Sequence, residues 1–307
     1  MASHLQRVKS KLSIFAHRKA RGLLEGQYGS VSHGRSLDFE DFRAYVPGDE
    51  VRDIDWKATA RHGSTLVRRY LAARRQTLLL VTDTGRNMAA ESRDGEPKRD
   101  IAVLALGVVG YLADRHGDAV GLVCGDSGGS RALPGKAGEA HLERLLSEVH
   151  DTTSLDAAPS RLETQLDYVA RNFSRRMLLL VVADELLPDA ETERLLRRLR
   201  AQHEILWLTV RDADLLGAGA AADSYDVGGT PAGLRSGHKA GARSGLLPGG
   251  LADSAAIAGA YARARDERDA ARRSMLRRLG IAEAEAGSTR DVIPAVFTLL
   301  ARHRRGR

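Results

Sequence analysis

Gln76–Asp83 reads QTLLLVTD, and Arg176–Asp184 repeats the design as RMLLLVVAD. Each is an unbroken apolar run closed by a carboxylate. A strand with one wet face alternates apolar and polar residues. A run without alternation belongs to a strand covered on both faces, the habit of parallel sheets held between helices. Working outward, helical patterns occupy Pro97–His116, Lys136–Val149, Ser160–Phe173 and Pro188–Gln202. Further strands are expected at Ala119–Cys124, Ser130–Leu133 and Glu204–Val210, with a weaker one at Ser224–Val227. Strands alternating with helices predict a doubly wound α/β fold, its sheet mainly parallel, with helices on both faces and right-handed crossovers.

The totals agree with a globular chain: 307 residues, 43% hydrophobic, 28% charged and 5% aromatic. A single cysteine, Cys124, excludes an internal disulfide framework and a cysteine-based zinc cluster, and suits a reducing cytoplasm. The net charge of +7 comes from arginines spread over helix surfaces, so no specific nucleic-acid partner is expected. Met1–Arg21 is basic with no apolar core, which argues against a secretory leader. Ile101–Ala113, the longest apolar stretch, is shorter than the roughly 20 residues a bilayer span requires. Leu5, Val8, Leu12 and Phe15 form one helical stripe that packs on its own domain or, alternatively, lies peripherally on an anionic membrane. The organisation expected is an N-terminal helix and motif segment over 1–75, an α/β domain over 76–227, a Gly/Ala/Ser-rich flexible loop over 228–250, and C-terminal helices over 251–307 (Ala252–Leu279 and Val292–Arg304) packed on the domain.

Ahead of the first buried strand, Arg35–Arg69 mixes rings with charges more densely than any other part of the chain. The simplest account is a folded polar insert laid on the sheet. Ile54 and Trp56 would be buried anchors, while Arg43, Arg52 and Arg61 pair with Asp49, Asp53 and Asp55. On that account Trp56→Ala costs about 3–5 kcal/mol. Pro47-Gly48 is a turn signal. Asp49 and Asp55 sit where helix N-caps would, before Glu50–Ile54 and Trp56–Arg61, and Gly63 would close the second helix. Leu66–Tyr70 reads as a short strand.

In open α/β sheets, ligands gather at the carboxyl ends of strands where strand order reverses. Asp83 and Asp184 end the two most buried strands and would meet there if those strands are neighbours. Asp83-Thr84-Gly85-Arg86-Asn87 resembles the D-x-S-x-S metal-ion-dependent adhesion motif of von Willebrand factor A domains, whose ligands are the hard oxygens that magnesium requires. Gly85 lacks the serine side chain and Arg86 adds a cation. The resemblance therefore implies a degenerate Mg2+ site at Asp83, Asn87 and Asp184, with Thr152 or Thr153 in the threonine position. The structural alternative has Asp83 capping the following turn or pairing with Arg86, and no cofactor.

The motif R-x-Y-x-P-G-D-x-x-R-x-I-D-W-x-x-x-A-R runs intact from Arg43 to Arg61, through Tyr45, Pro47, Gly48, Asp49, Arg52, Asp53, Asp55 and Trp56. It resembles the hallmark of the bacterial domain of unknown function fifty-eight family, in which it precedes a von Willebrand A-like domain. Ala72-Ala73 departs from that family, where acidic residues commonly stand. The resemblance implies a protein-interaction adaptor working with a MoxR-type AAA+ ATPase partner in the assembly or activation of other proteins.

Competing motifs are weaker. Gly125–Gly129 spells GDSGG, but it lies between two strand candidates and reads as a hairpin turn rather than a protease nucleophile. His33 and His62 flank the motif segment and show no metal spacing. The chain has no phosphate-binding G-x-x-x-x-G-K-[ST] loop. The expectation is thus a cytoplasmic, non-enzymatic adaptor. The alternatives are a metal-dependent hydrolase using the carboxylates of the motif segment, or a basic surface for nucleic acid or anionic membrane.

Overall fold

A computed structural model describes residues 3–18, 39–47, 54–70, 77–185, 189–214 and 255–305. Its centre is a six-stranded sheet in the order β5-β4-β3-β6-β7-β8. The strands are β3 (Thr77–Asp83), β4 (Ala119–Asp126), β5 (Gly129–Lys136), β6 (Leu178–Ala183), β7 (Glu204–Val210) and β8 (Ala282–Ala286). All neighbours are parallel except β4 and β5, which form an antiparallel hairpin. The two matching runs lie side by side: Leu78 faces Leu178 and Thr82 faces Val182.

The continuous apolar runs feed two cores at once, because successive strand residues point to opposite faces. Leu78, Leu80, Leu178, Leu180 and Val182 join one core; Leu79, Val81, Leu179, Val181 and Ala183 join the other. The first core is roofed by α1 (His4–Arg18), α4 (Lys98–Arg115), α5 (Glu139–Thr152) and α9 (Val292–Arg305). The second is roofed by α6 (Leu162–Asn172), α7 (Ala190–Gln202) and α8 (Ala255–Arg278). Trp207 on β7 is wholly buried in the second core, where its indole N–H donates to Thr209 Oγ1 at 3.1 Å.

The N-terminal stripe belongs to the protein interior. Leu5, Val8 and Leu12 are buried, and Phe15 stacks on Phe297 with ring centroids 5.1 Å apart. Glu143 accepts hydrogen bonds from the His4 and Leu5 amides at 2.9 and 2.7 Å, placing negative charge at the helix's positive end. The apolar face that a membrane reading of α1 requires is therefore already occupied.

One element departs from the sequence expectation. Residues 251–307, read as helices alone, also contain β8, which pairs along its length with β7 and completes the sheet. Its sequence, AEAEA, is built from helix-favouring residues and becomes a strand through its surroundings. Ala284 and Ala286 face the first core. Glu283 and Glu285 reach Arg272 on α8, at 2.8 and 3.0 Å, and Arg272 also holds Asp269 at 2.7 Å. Arg211 adds a second guanidinium to this buried cluster through Asp269. The expected strand at Ser224–Val227 and the loop 228–250 lie outside the described residues.

Among the described residues the motif segment contributes no strand to the central sheet. β1 (Phe39–Ala44) and β2 (Leu66–Tyr70) make a two-stranded antiparallel sheet, and α2 (Trp56–His62) lies between them in sequence. Asp55 caps α2 by accepting from the amides of Lys57 and Ala58 at 3.0 and 2.9 Å. Gly63 ends it in the left-handed region (φ 75°), which a residue without a Cβ enters without strain. Ile54 bridges Val67 in extended form, so the helix expected over Glu50–Ile54 does not include its last residue.

Candidate functional site

The reversal of strand order falls at β3: its chain neighbour β4 lies on one side and β6 on the other. Asp83 and Asp184 come together there, one residue after Thr82 and two after its partner Val182. A short helix, α3 (Arg86–Ala89), follows β3. Asp83 is 2% exposed. Its Oδ1 accepts from the Gly85 amide at 2.6 Å and its Oδ2 from the Arg161 amide at 2.7 Å. Burial pushes its pKa up to about 7. The Ser160 hydroxyl opposes that shift, Asp184 adds to it, and the two amides oppose it.

The loop between α5 and α6 is fastened across these strand ends. Arg86 N–H donates to Ala158 at 3.1 Å and Ser127 N–H to Pro159 at 3.0 Å. Gly85 is needed for that closeness: a Cβ there would stand 2.6 Å from the Cα and N of Ser160. The glycine in place of the adhesion-motif serine is therefore a packing requirement, because the crossing loop fills the space. Ser127-Gly128 forms the tip of the β4–β5 hairpin, with Asp126 Oδ1 accepting from the Gly128 amide, which accounts for the GDSGG run as a turn.

On the other side of the crevice a lysine stands among the acids. Lys98 opens α4, is 2% exposed, and directs its Nζ to Asp212, with Asp184 Oδ2 at 3.6 Å. Burial pulls its pKa down, but Asp184 and Asp212 outweigh burial and hold it above the ordinary lysine value. A protein cation thus neutralises the strand-end carboxylates from within.

These donors do not fit the magnesium site that the fold's adhesion motif implies. Both Asp83 oxygens are held by amides, Gly85 supplies no ligand, and Asp184 faces an ammonium group. The Thr152 and Thr153 hydroxyls donate to carbonyls one turn back in α5, each at 2.7 Å. Asn87 Oδ1 is buried without a hydrogen-bond partner among the described residues. The described residues contain no group of three or more His, Cys, Asp or Glu side chains arranged to hold a metal.

The motif segment corrects a second expectation. Trp56, expected to be an internal anchor, is 65% exposed. The cap at Asp55 makes it the first residue of a seven-residue helix that buries none of its side chains, so the ring turns outward. Among the residues of this segment whose side chains are described, Leu66 and Val67 on β2 are buried, and Ile54 is half-buried against Val67. Tyr45 and Val46 are also exposed, at 37% and 56%. Pro47 and Arg61 lie at the surface, and the Arg43 backbone pairs with Val67. Asp55 is engaged as a helix cap. Gly48, Asp49, Arg52 and Asp53, with the ion pairs expected of them, lie outside the described residues.

Lys98, Asp212, Ser160 and Arg161 were not singled out by sequence. Two signals were available. A lysine at a helix N-terminus opposes the helix dipole and needs a compensating acid. Asp212 closes a third buried strand much as Asp83 and Asp184 close theirs.

Fold and crevice define a doubly wound α/β domain whose strand-end acids are held by internal donors. The chain belongs to the family described as "Protein of unknown function DUF58", whose model matches residues 41–218, more than half of it and including the motif segment. It is 28% identical over 205 residues to the uncharacterized protein Rv1480 of Mycobacterium tuberculosis (strain ATCC 25618 / H37Rv), covering 66% of this chain and 63% of that one. The uncharacterized protein Mb1516 of Mycobacterium bovis matches to the same extent. The chain thus spans less than two thirds of the length of these relatives. Similar solved structures include an aerotolerance-related membrane protein from Bacteroides fragilis (14% identity, TM-score 0.35, covering 44% of this chain and 67% of that one). Another is the SpRpn10 VWA domain (13% identity, TM-score 0.33, covering 46% and 78%). No helix among the described residues is long and apolar enough to cross a membrane.

Proposed function

We propose that this chain is a non-enzymatic protein-interaction adaptor, acting with a MoxR-type AAA+ ATPase in the assembly or activation of other proteins. The observation that carries the reading is the outward indole of Trp56, within the segment that bears the family signature. Tryptophan is costly to leave in water and is the side chain most enriched where one protein grips another. Tyr45 and Val46 extend the apolar surface of the same unit. The state of the strand-end carboxylates favours binding over catalysis: amides hold Asp83, and Lys98 serves Asp184 and Asp212.

The test mixes the purified chain with a MoxR-type ATPase of the same organism, with ADP and with a non-hydrolysable ATP analogue, and measures association by sedimentation. A nucleotide-dependent complex is expected. Trp56→Ala should weaken it by about 30-fold, the loss of a binding hot spot, without lowering the melting temperature. No complex in either nucleotide state would remove the ATPase from the reading. Undiminished binding by the variant would remove this surface.

A further inference from the structure

Among the described residues β8 is the outermost strand of the sheet, and its outer edge borders a cavity of about 510 Å3 between α8 and α9, lined by Arg93, Arg273, Arg302, Ala284, Pro294 and Thr298 among others. That volume lies within the range of ligand sites. The backbone facing it can be assigned. The Arg211 amide donates to the Ala286 carbonyl, which therefore points toward β7, whereas the Glu283 carbonyl accepts from the Arg302 guanidinium at 2.7 Å and points away. Alternate residues of a strand present their amide and carbonyl to opposite sides, so Glu283 and Glu285 turn theirs to the open edge. Arg302 takes one carbonyl. The amide and carbonyl of Glu285 have no hydrogen-bond partner among the described residues.

The charges around this edge are sorted by depth. Glu283 and Glu285 are drawn inward by Arg272. Asp291 Oδ2 accepts from the Gly287 and Ser288 amides and the Ser288 hydroxyl. The carboxylates are thus engaged within the protein. Arg211 and Arg272 are buried with these acids, whereas three arginines stand outside: Arg93 and Arg273 keep 49% and 51% of their side-chain surface, and Arg302 is exposed. Arg93 touches Asp94 at 3.4 Å and Arg273 approaches Glu285 at 3.9 Å, both at the surface, where such contacts contribute little.

We propose that the β8 edge is a docking site for an extended acidic peptide segment of a partner protein, added as a seventh strand. Its main chain pairs with Glu285, and its carboxylates are met by Arg93, Arg273 and Arg302. Backbone pairing supplies affinity and the arginine rim supplies selectivity for acidic sequence. A four-residue extended segment spans about 13 Å at roughly 3.3 Å per residue, within the length of the five-residue strand β8. This surface is independent of the Trp56 face and stands whether or not the ATPase reading holds.

The experiment uses the full chain and a fluorescein-labelled peptide of alternating valine and glutamate, with a valine–lysine peptide as control, read by fluorescence anisotropy at low salt. Saturable binding of the acidic peptide is expected, at least tenfold tighter than the lysine peptide. Hydrogen exchange should slow at the Glu285 amide when the acidic peptide binds. The double variant Arg93→Glu/Arg273→Glu alters two exposed side chains and should weaken binding at least tenfold with the melting temperature unchanged. Equal affinity for the two peptides, no saturation by the acidic peptide, or protection appearing away from residues 282–287 would each overturn the proposal.

Discussion

Trp56 and Trp207 occupy opposite situations in one chain: the first is 65% exposed and the second wholly enclosed. Trp207 stands in the middle of a buried strand, with sheet neighbours on both sides and α7 and α8 above it. Trp56 opens a seven-residue helix that buries none of its side chains, next to a sheet of two strands. Ring content therefore does not define a core; the layers packed around the ring do. The buried indole serves stability, and the outward one lies in contact with solvent.

Four measurements test the contrast between the two indoles. Trp207→Ala should have the largest effect, about 3–5 kcal/mol in denaturant unfolding, because no layer can collapse into the space. A loss below about 1 kcal/mol would contradict the enclosure. Gly85→Ser restores the adhesion-motif residue but drives a Cβ against the Ser160 backbone. It should destabilise by about 1–3 kcal/mol and create no magnesium-dependent rise in melting temperature. Next is the pH dependence of Asp83. Its folded pKa, about 7, lies above the ordinary 3.8, so its stabilising contribution is complete below the ordinary value and is lost as pH rises through about 7. Between those limits stability should fall by at most about 1.4 kcal/mol per pH unit, and Asp83→Asn should flatten that slope in urea titrations. The smallest effect belongs to Trp56→Ala, within about 0.5 kcal/mol of the parent. A several-kcal/mol loss there would mean the indole is an anchor after all.

The four central strands were legible because buried parallel strands write themselves as uninterrupted apolar runs. The meeting of Asp83 and Asp184 followed from their position at the ends of twin runs. β8 was not legible: AEAEA has no apolar signature, and its glutamates are tolerated because Arg272, on a separate helix, neutralises them. Lys98 was hidden for a similar reason, since only the assembled topology brings it to Asp184 and Asp212. The motif segment announced itself, but whether its rings face in or out depends on how many layers cover them. No stretch of residues 43–61 records that number.

The sixth strand has a consequence for how the molecule is made. β7 ends at Val210 and β8 begins at Ala282, so on a ribosome adding about 5–20 residues per second several seconds separate the emergence of the two. Throughout that interval β7 lacks the strand that pairs with it in the finished sheet. Bare strand margins recruit other chains. The hazard in this protein's biosynthesis should therefore peak late, with most of the fold already in place, and a holding chaperone would be most useful at that stage.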